Sequence, residues 1–332
     1  MTPAGAVRTR LWSDGALKAE NFPLADVAKH RGEQGALVWV DLCNPEPAQL
    51  AELAAQLGLD DRAVKDIDGQ RTKATRYANH TFLTVYATGV APIVPGDIES
   101  RLLIARISIF VLPNALATVR HETNSPQTVF DIDEVVRRWD DNSDLLAEGS
   151  PALLHELLDV VVEGHFDAIQ QLDDAVESLE DGLFDDTGSN RTIQRNTYRL
   201  RKELVELRRI VLPMREVVNT IRRSDTVERD GWYDDLYDNV IRAAEWTESL
   251  RDMITTVFET NLSLQDARLN IVVKKLTGWA AIIAVPTLVT GWYGQNIPYP
   301  GFSQVSGVVT SALLSVITSV VLYVMFRRRG WI

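Results

Sequence analysis

The sequence predicts an α+β membrane protein built in five parts. These are an N-terminal cytoplasmic α/β domain (residues 1–145), an antiparallel helical hairpin (146–225), a very long stalk helix continuing into the first of two transmembrane helices (226–293), a short external loop (294–303), and the second transmembrane helix with a basic tail (304–332). Three observations carry this. The stretches 276–293 and 299–326 contain no charged residue. Strand-like runs fill the first part of the chain, and from Pro151 onward the apolar periodicity becomes wholly helical. No proline falls between Trp232 and Pro286, so one helix can run from the soluble part into the first apolar stretch.

The α/β domain is read from strands at 36–42, 81–88, 101–112 and 115–120, rich in Val, Ile, Leu and aromatics. Leu112-Pro113-Asn114 marks a hairpin turn between the last two. Helices are expected at 45–57, 61–67 and 127–139. No Gly-rich phosphate loop follows any strand.

The hairpin is read from two stripes at steps of three and four. Leu154, Leu158, Val161, His165, Ile169, Leu172, Val176, Leu179 and Leu183 form the first; Ile193, Leu200, Leu204, Leu207, Val211, Met214, Val218 and Ile221 form the second. The polar run 185–190 separates them. The first helix is acidic (Asp173, Asp174, Glu177, Glu180, Asp181) and the second basic, so charge pairing along the hairpin is expected, with a cation-sensing acidic face as the sharper alternative. His155 and His165 lack the spacing of a zinc pair and are read as structural.

The stalk, if continuous to Trp292, is about 90 Å long at about 1.5 Å per residue. Its inward stripe is expected at Glu259, Leu262, Asp266, Asn270, Val273, Leu276 or Thr277, Ala280, Ala284, Thr287 and Gly291. From Asn270 onward this face is small, apolar or neutral polar. Glu259 and Asp266 below it are either a wet, cation-attracting vestibule or solvated stalk charges.

Both apolar stretches can cross about 30 Å of hydrocarbon. Lys274 and Lys275 precede the first; Arg327, Arg328 and Arg329 follow the second, making a basic cytoplasmic collar. The loop between carries no Lys or Arg, so both termini are expected in the cytoplasm and the loop outside.

Composition narrows function. A net charge of −12 argues against a nucleic-acid partner, and a single cysteine, Cys43, leaves no internal disulfide and fits a reducing compartment. Five histidines and one cysteine supply no nucleophile–base pair or metal triad, so an enzyme with a catalytic cofactor is not expected.

Tyr293-Gly294-Gln295-Asn296, directly after the first span, resembles the Tyr-Gly-Met-Asn signature of CorA-type magnesium channels. Trp39-Val40-Asp41-Leu42 resembles an early strand of that family's cytoplasmic domain. Residues 233–238 resemble the start of its stalk, and 270–277 its inner pore mouth. The resemblance covers nearly the whole chain. It implies a homopentamer in the cytoplasmic membrane with the first span lining the pore. It further implies transport of Mg²⁺, with Co²⁺ and Ni²⁺ as further substrates, driven by the membrane potential. Mg²⁺ would also be a regulatory ligand, bound between neighbouring cytoplasmic domains. Asp235 matches the stalk ligand of that site; Asp238, Asp97, Glu99 and Glu259 are further candidates. Two departures bear on selectivity: Gln295 stands at the methionine position, and the loop 297–302 lacks the usual acidic residue.

No carboxylate cage lies in the membrane, so amide, hydroxyl and carbonyl oxygens at Asn296, Thr287, Asn270 and Gly294 would hold the ion's water shell. Each has a duller role: Asn296 as a helix cap, Thr287 back-bonding beside Pro286, Asn270 setting register, Asp235 and Asp238 as helix N-terminal charges. Two other functions remain open: a zinc transporter of the same architecture, proton-coupled or not, and a membrane-tethered coiled-coil scaffold or sensor without a pore.

Overall fold

The computed structural model describes residues 5–92, 100–121, 129–183, 190–223, 231–295 and 298–332. It divides into two compact units, 1–257 and 258–332.

The first unit is built on a seven-stranded sheet in the order β2-β1-β3-β7-β6-β5-β4. The strands are β1 (Ala6–Ser13), β2 (Ala16–Glu20), β3 (Ala36–Cys43), β4 (Lys73–Arg76), β5 (Thr81–Val90), β6 (Leu102–Leu112) and β7 (Ala115–His121). All neighbours are antiparallel except β3 and β7, which run parallel at the centre. β3 is buried at every residue, as a central strand covered on both faces must be. The expected turn at Pro113-Asn114 joins β6 to β7 with Leu112 opposite Ala115. β1, β2 and β4 carry no strand signal in the apolar pattern. β2 and β4 are short and polar edge strands. β1 hides its apolar half behind Arg8 and Arg10, which pair with Asp133 and Asp140.

One sheet face packs Leu11, Val38, Val40, Leu42, Phe82 and Phe110 under α1 (Val27–Arg31), α2 (Pro47–Leu57) and α3 (Asp61–Lys65). α2 begins with Pro47 behind a Glu46–Gln49 capping box and ends at Gly58 in the left-handed conformation (φ 67°), an economical start and stop. The other face packs Trp12, Leu37, Trp39, Val85 and Ile107 under α4 (Ile132–Asp141), α5 (Ser150–Leu183), α6 (Asn190–Arg222) and the first turns of α7 (Trp232–Tyr293). Trp139 stands edge-on to both Trp12 and Trp39, at 6.0 and 5.0 Å between centroids. α4 starts five residues later than its apolar pattern suggests, because Asp131 accepts the Asp133 amide at 3.0 Å and caps it there.

Every residue of the two predicted hairpin stripes is buried. Fully burying a Leu or Val side chain stabilises by about 1.5–3 kcal/mol, so these stripes are what fix α5 and α6. Two ion pairs tie α6 to α7, Arg208 to Glu248 and Arg222 to Asp234. Asp174, Glu177 and Asp181 point outward. The expected break at 185–190 lies almost wholly outside the described residues.

Two buried polar groups lock this unit. Arg120 of β7 donates two hydrogen bonds to Asp41 of β3 (2.8–2.9 Å), and Thr118 donates a third at 2.7 Å. His165, on the apolar stripe of α5, donates Nε2–H to the Tyr86 carbonyl at 2.8 Å. Burial pushes its pKa down to about 4, so the ring is neutral. His155 similarly donates to the Trp232 carbonyl at 3.2 Å. Both act as structural groups.

The second unit comprises the 258–293 part of α7, the loop after it, and α8 (Val305–Arg328).

Candidate ion path

The two faces of α7 in the second unit differ in what they touch. Gly278, Ala281, Ile282, Val285, Pro286 and Val289 share one face and are at least half covered. Gly278 permits the closest approach: a Cβ there would stand 3.1 Å from the Ile332 side chain. On α8, Ser311, Ser315 and Ser319 put a small, half-covered residue at every fourth position, and Gly307 one step before them is covered by the turn at Gly301. Such spacing lets helix backbones approach closely in a membrane. The sequence reading did not single out this row, although its four-residue repeat was there to be seen.

The opposite face of α7 carries Asn270, Val273, Leu276, Ala280, Ala284, Thr287 and Gly291, all exposed. Leu276 is 70% exposed. Ala284, Thr287, Leu288, Gly291 and Gln295 line an open groove, hollow because Ala284 and Gly291 sit between larger neighbours. The Thr287 hydroxyl donates to the Ile283 carbonyl at 3.4 Å. It therefore does not reach the Ile282 carbonyl, which Pro286 deprives of its helical donor. The exposed hydroxyl keeps its acceptor capacity.

At the end of α7, the Gly294 amide still donates to the Thr290 carbonyl at 2.8 Å. Gly294 is not in the left-handed region. A Cβ there would stand 3.0 Å from that carbonyl, so glycine serves close approach and not an unusual φ. Gln295 is exposed. Asn296 lies outside the described residues. The chain then packs Tyr299 edge-on to Tyr293 (4.8 Å) and Phe302 (5.4 Å), and turns at Gly301 (φ 90°) into α8. A Cβ on Gly307 would approach the Gly301 carbonyl oxygen to 2.4 Å, so that contact demands glycine.

The basic collar residues Lys274, Lys275, Arg327, Arg328 and Arg329 are all exposed. Glu259 and Asp266 are exposed on α7. At the start of α7, Asp235 and Asp238 are exposed, whereas Asp234 holds Arg222 at 2.9 Å. Asp97 and Glu99 lie outside the described residues. Among the described residues, no three His, Cys, Asp or Glu side chains gather as a metal-holding group within one chain.

Both apolar helices are long enough to span a bilayer, and almost none of their residues is fully buried. Exposed Leu, Ile and Val on this scale are stable only in lipid or against other protein.

Comparison with known proteins agrees along the full chain. The cobalt/magnesium transport protein CorA of Methanocaldococcus jannaschii is 26% identical over 320 residues, covering 90% of this chain and 93% of that protein. The complete structure of the CorA magnesium transporter from the same organism superposes with a TM-score of 0.75 at 21% identity, over the whole of both chains. The ZntB cytoplasmic domain from Vibrio parahaemolyticus shares the fold at a TM-score of 0.54 and 14% identity, covering 70% of this chain and 88% of that one. The model of the CorA-like Mg²⁺ transporter protein family matches residues 34–328, from β3 to the last residue of α8. Sheet, hairpin, long helix and both apolar helices are thus accounted for together, and the chain belongs to the CorA-like Mg²⁺ transporter family.

Proposed function

We propose that copies of this chain assemble in the cytoplasmic membrane as a homo-oligomeric channel for divalent cations, Mg²⁺ first, with Co²⁺ and Ni²⁺ as further substrates. The observation that carries this reading is the exposed α7 stripe from Asn270 to Gly291. The other face of the same helix is partly covered from Gly278 to Val289, with Tyr323 and Phe326 of α8 against its first turn, so this stripe is left for other copies or for water. One such pair of helices cannot enclose a path, and a ring of them can. The family resemblance implies five.

The chemistry follows from what the stripe offers. Mg²⁺ holds six waters in near-octahedral geometry and gives them up reluctantly. The Thr287 hydroxyl and the Asn270 and Asn296 amides are neutral oxygen donors suited to the outside of that shell. Weak contacts at several levels let the ion leave as well as enter. A membrane potential of 100 mV contributes about 4.6 kcal/mol for a divalent ion moving inward, twice the single-charge value. The collar of Lys and Arg supports an orientation with both termini in the cytoplasm. Asp235 would contribute to a regulatory Mg²⁺ site between neighbouring subunits. Carboxylates facing each other there repel until an ion bridges them, so high internal Mg²⁺ favours the closed state.

The test is ion flux into liposomes containing the purified protein, with Mg²⁺, Co²⁺ and Zn²⁺, with and without a pH gradient. Mg²⁺ flux driven by potential alone is expected, and Asn296→Ala should abolish or severely reduce it while the oligomer still assembles. Unaltered flux through Asn296→Ala would remove the outer mouth from the selectivity mechanism. The zinc reading draws on Gln295 at the methionine position; Zn²⁺ flux that needs the pH gradient would establish it instead.

A further inference from the structure

We propose that the α5–α6 hairpin docks against the hairpin of a second copy of this chain, with the acidic stripe of one α5 lying along the basic stripe of the neighbour's α6. This rests on the homo-oligomer reading above and names a contact that holds the assembly.

The outer face of α6 is patterned. Tyr198 is 75% exposed and Val205 39%, and half-buried Leu212 continues the same seven-residue step. Seven residues fall about 20° short of two full turns, so the three make one apolar line. Cations flank it on both sides at the same step. Lys202 and Arg209 run along one side; Arg201 and Arg215 run along the other, with Arg208 between them turned to Glu248 of α7. An apolar line within a charged rim is the composition of a contact surface.

The outer face of α5 carries the opposite sign at the same period: Asp167, Asp174 and Asp181, with Glu177 beside them, all exposed. Asp174 accepts from the Gln170 amide at 3.0 Å. Among the described residues, these four acids and Arg201, Lys202, Arg209 and Arg215 form no ion pair within the chain. An antiparallel register sets Asp174 opposite Lys202 and Asp167 opposite Arg209, with seven residues between contacts on both helices. A polyanion or an anionic lipid surface would use the basic stripe alone and leave its acidic match idle. A second copy uses both. A contact between two different faces of one chain is head-to-tail, the kind that closes into a ring.

The test is cross-linking in the full-length protein. Gln171→Cys and Val205→Cys are made in separate chains, each also carrying Cys43→Ala, co-expressed, and treated in membranes with a short bis-maleimide. A band containing both chains is expected. Reversing the basic stripe (Arg201→Glu, Lys202→Glu, Arg209→Glu) in the Val205→Cys chain should reduce that band at least tenfold. Reversing the acidic stripe in the Gln171→Cys chain (Asp167→Lys, Asp174→Lys, Asp181→Lys) should do the same. The two reversals together should restore it. An oligomer that runs intact on size exclusion but gives no mixed band, or a band indifferent to the reversals, overturns the docking and leaves the pore reading standing. A chain that runs as a monomer overturns the homo-oligomer reading as well.

Discussion

α7 obeys two rules along one uninterrupted helix. In its first part Tyr233, Leu236, Val240, Ala243, Leu250, Ile254 and Val257 are 0–2% exposed. Further along, Leu276 and Leu288 are 70% and 74% exposed. The residue types are the same and so is the backbone; the solvent differs. In water, an apolar stripe is stable only when the rest of the fold covers it. In hydrocarbon, the apolar surface may face outward, and the informative groups become the small and neutral polar ones. Function in such a chain is therefore sought where a membrane helix departs from uniform apolarity, and stability where a soluble helix departs from polarity.

The contrast can be broken most severely at Trp139. Trp139→Ala removes the ring against both Trp12 and Trp39 and should destabilise the first unit by about 3–5 kcal/mol. Leu288→Ala, on the exposed face of α7, removes nothing packed within the chain. In detergent, the loss of near-UV circular dichroism on heating should come much earlier for the first and barely move for the second. Equal shifts would mean that the α7 face is already buried in the assembly.

A second test uses pH. The folded pKa of His165 lies below its ordinary value of 6.5, at about 4. The unfolded chain therefore binds the extra proton first. The stabilisation from a neutral His165 is complete above pH 6.5 and is lost as pH falls from there toward 4, up to roughly 3 kcal/mol. Thermal melts from pH 7.5 to 4 should show this decline, and His165→Gln, which keeps a donor for the Tyr86 carbonyl, should flatten it.

Within the second unit, two glycines sharpen the comparison between a helix's covered and open sides. Gly307→Ala forces a Cβ onto the Gly301 carbonyl and should cost about 1–3 kcal/mol. Gly291→Ala meets nothing within 4 Å. Detergent melts should fall only for the first. The smallest effect is expected at Gln295, where the resembled signature has an apolar methionine. Gln295→Met should keep flux near the parent level, with any change confined to the order of preference among Mg²⁺, Co²⁺ and Zn²⁺.

What could be read from the sequence follows from the same division. The two hairpin stripes, β3 and β5 to β7 were legible because each is long and its burial is repeated in the apolar pattern. The spans were legible because an uncharged stretch of that length has few other uses. β1, β2 and β4 were not, since edge strands need little apolar surface and borrow their order from a neighbour. The Asp41–Arg120 pair could not be found either. Its partners are 79 positions apart, and only the parallel pairing of β3 with β7 brings them together. The pairs from α6 to α7 were not legible, because a one-dimensional pattern does not say which neighbour a helix faces. Of the candidate site, the stripe's order along α7 was legible, and the partly covered face had to come from packing.

The single parallel pairing in the sheet has a consequence for how the chain is made. β1 to β3 and β4 to β7 are two antiparallel groups with mostly short internal links, joined only where β3 meets β7. On a ribosome, β3 emerges some seventy residues before the strand that completes it, an interval of several seconds at about 5–20 residues per second. Throughout that time its open edge, Ala-Leu-Val-Trp-Val-Asp-Leu-Cys, is a template for wrong pairing. Asp41 interrupts that run with a charge that resists burial until Arg120 arrives. Loss of Asp41 should therefore be felt first in the yield of soluble nascent protein, ahead of any change in transport.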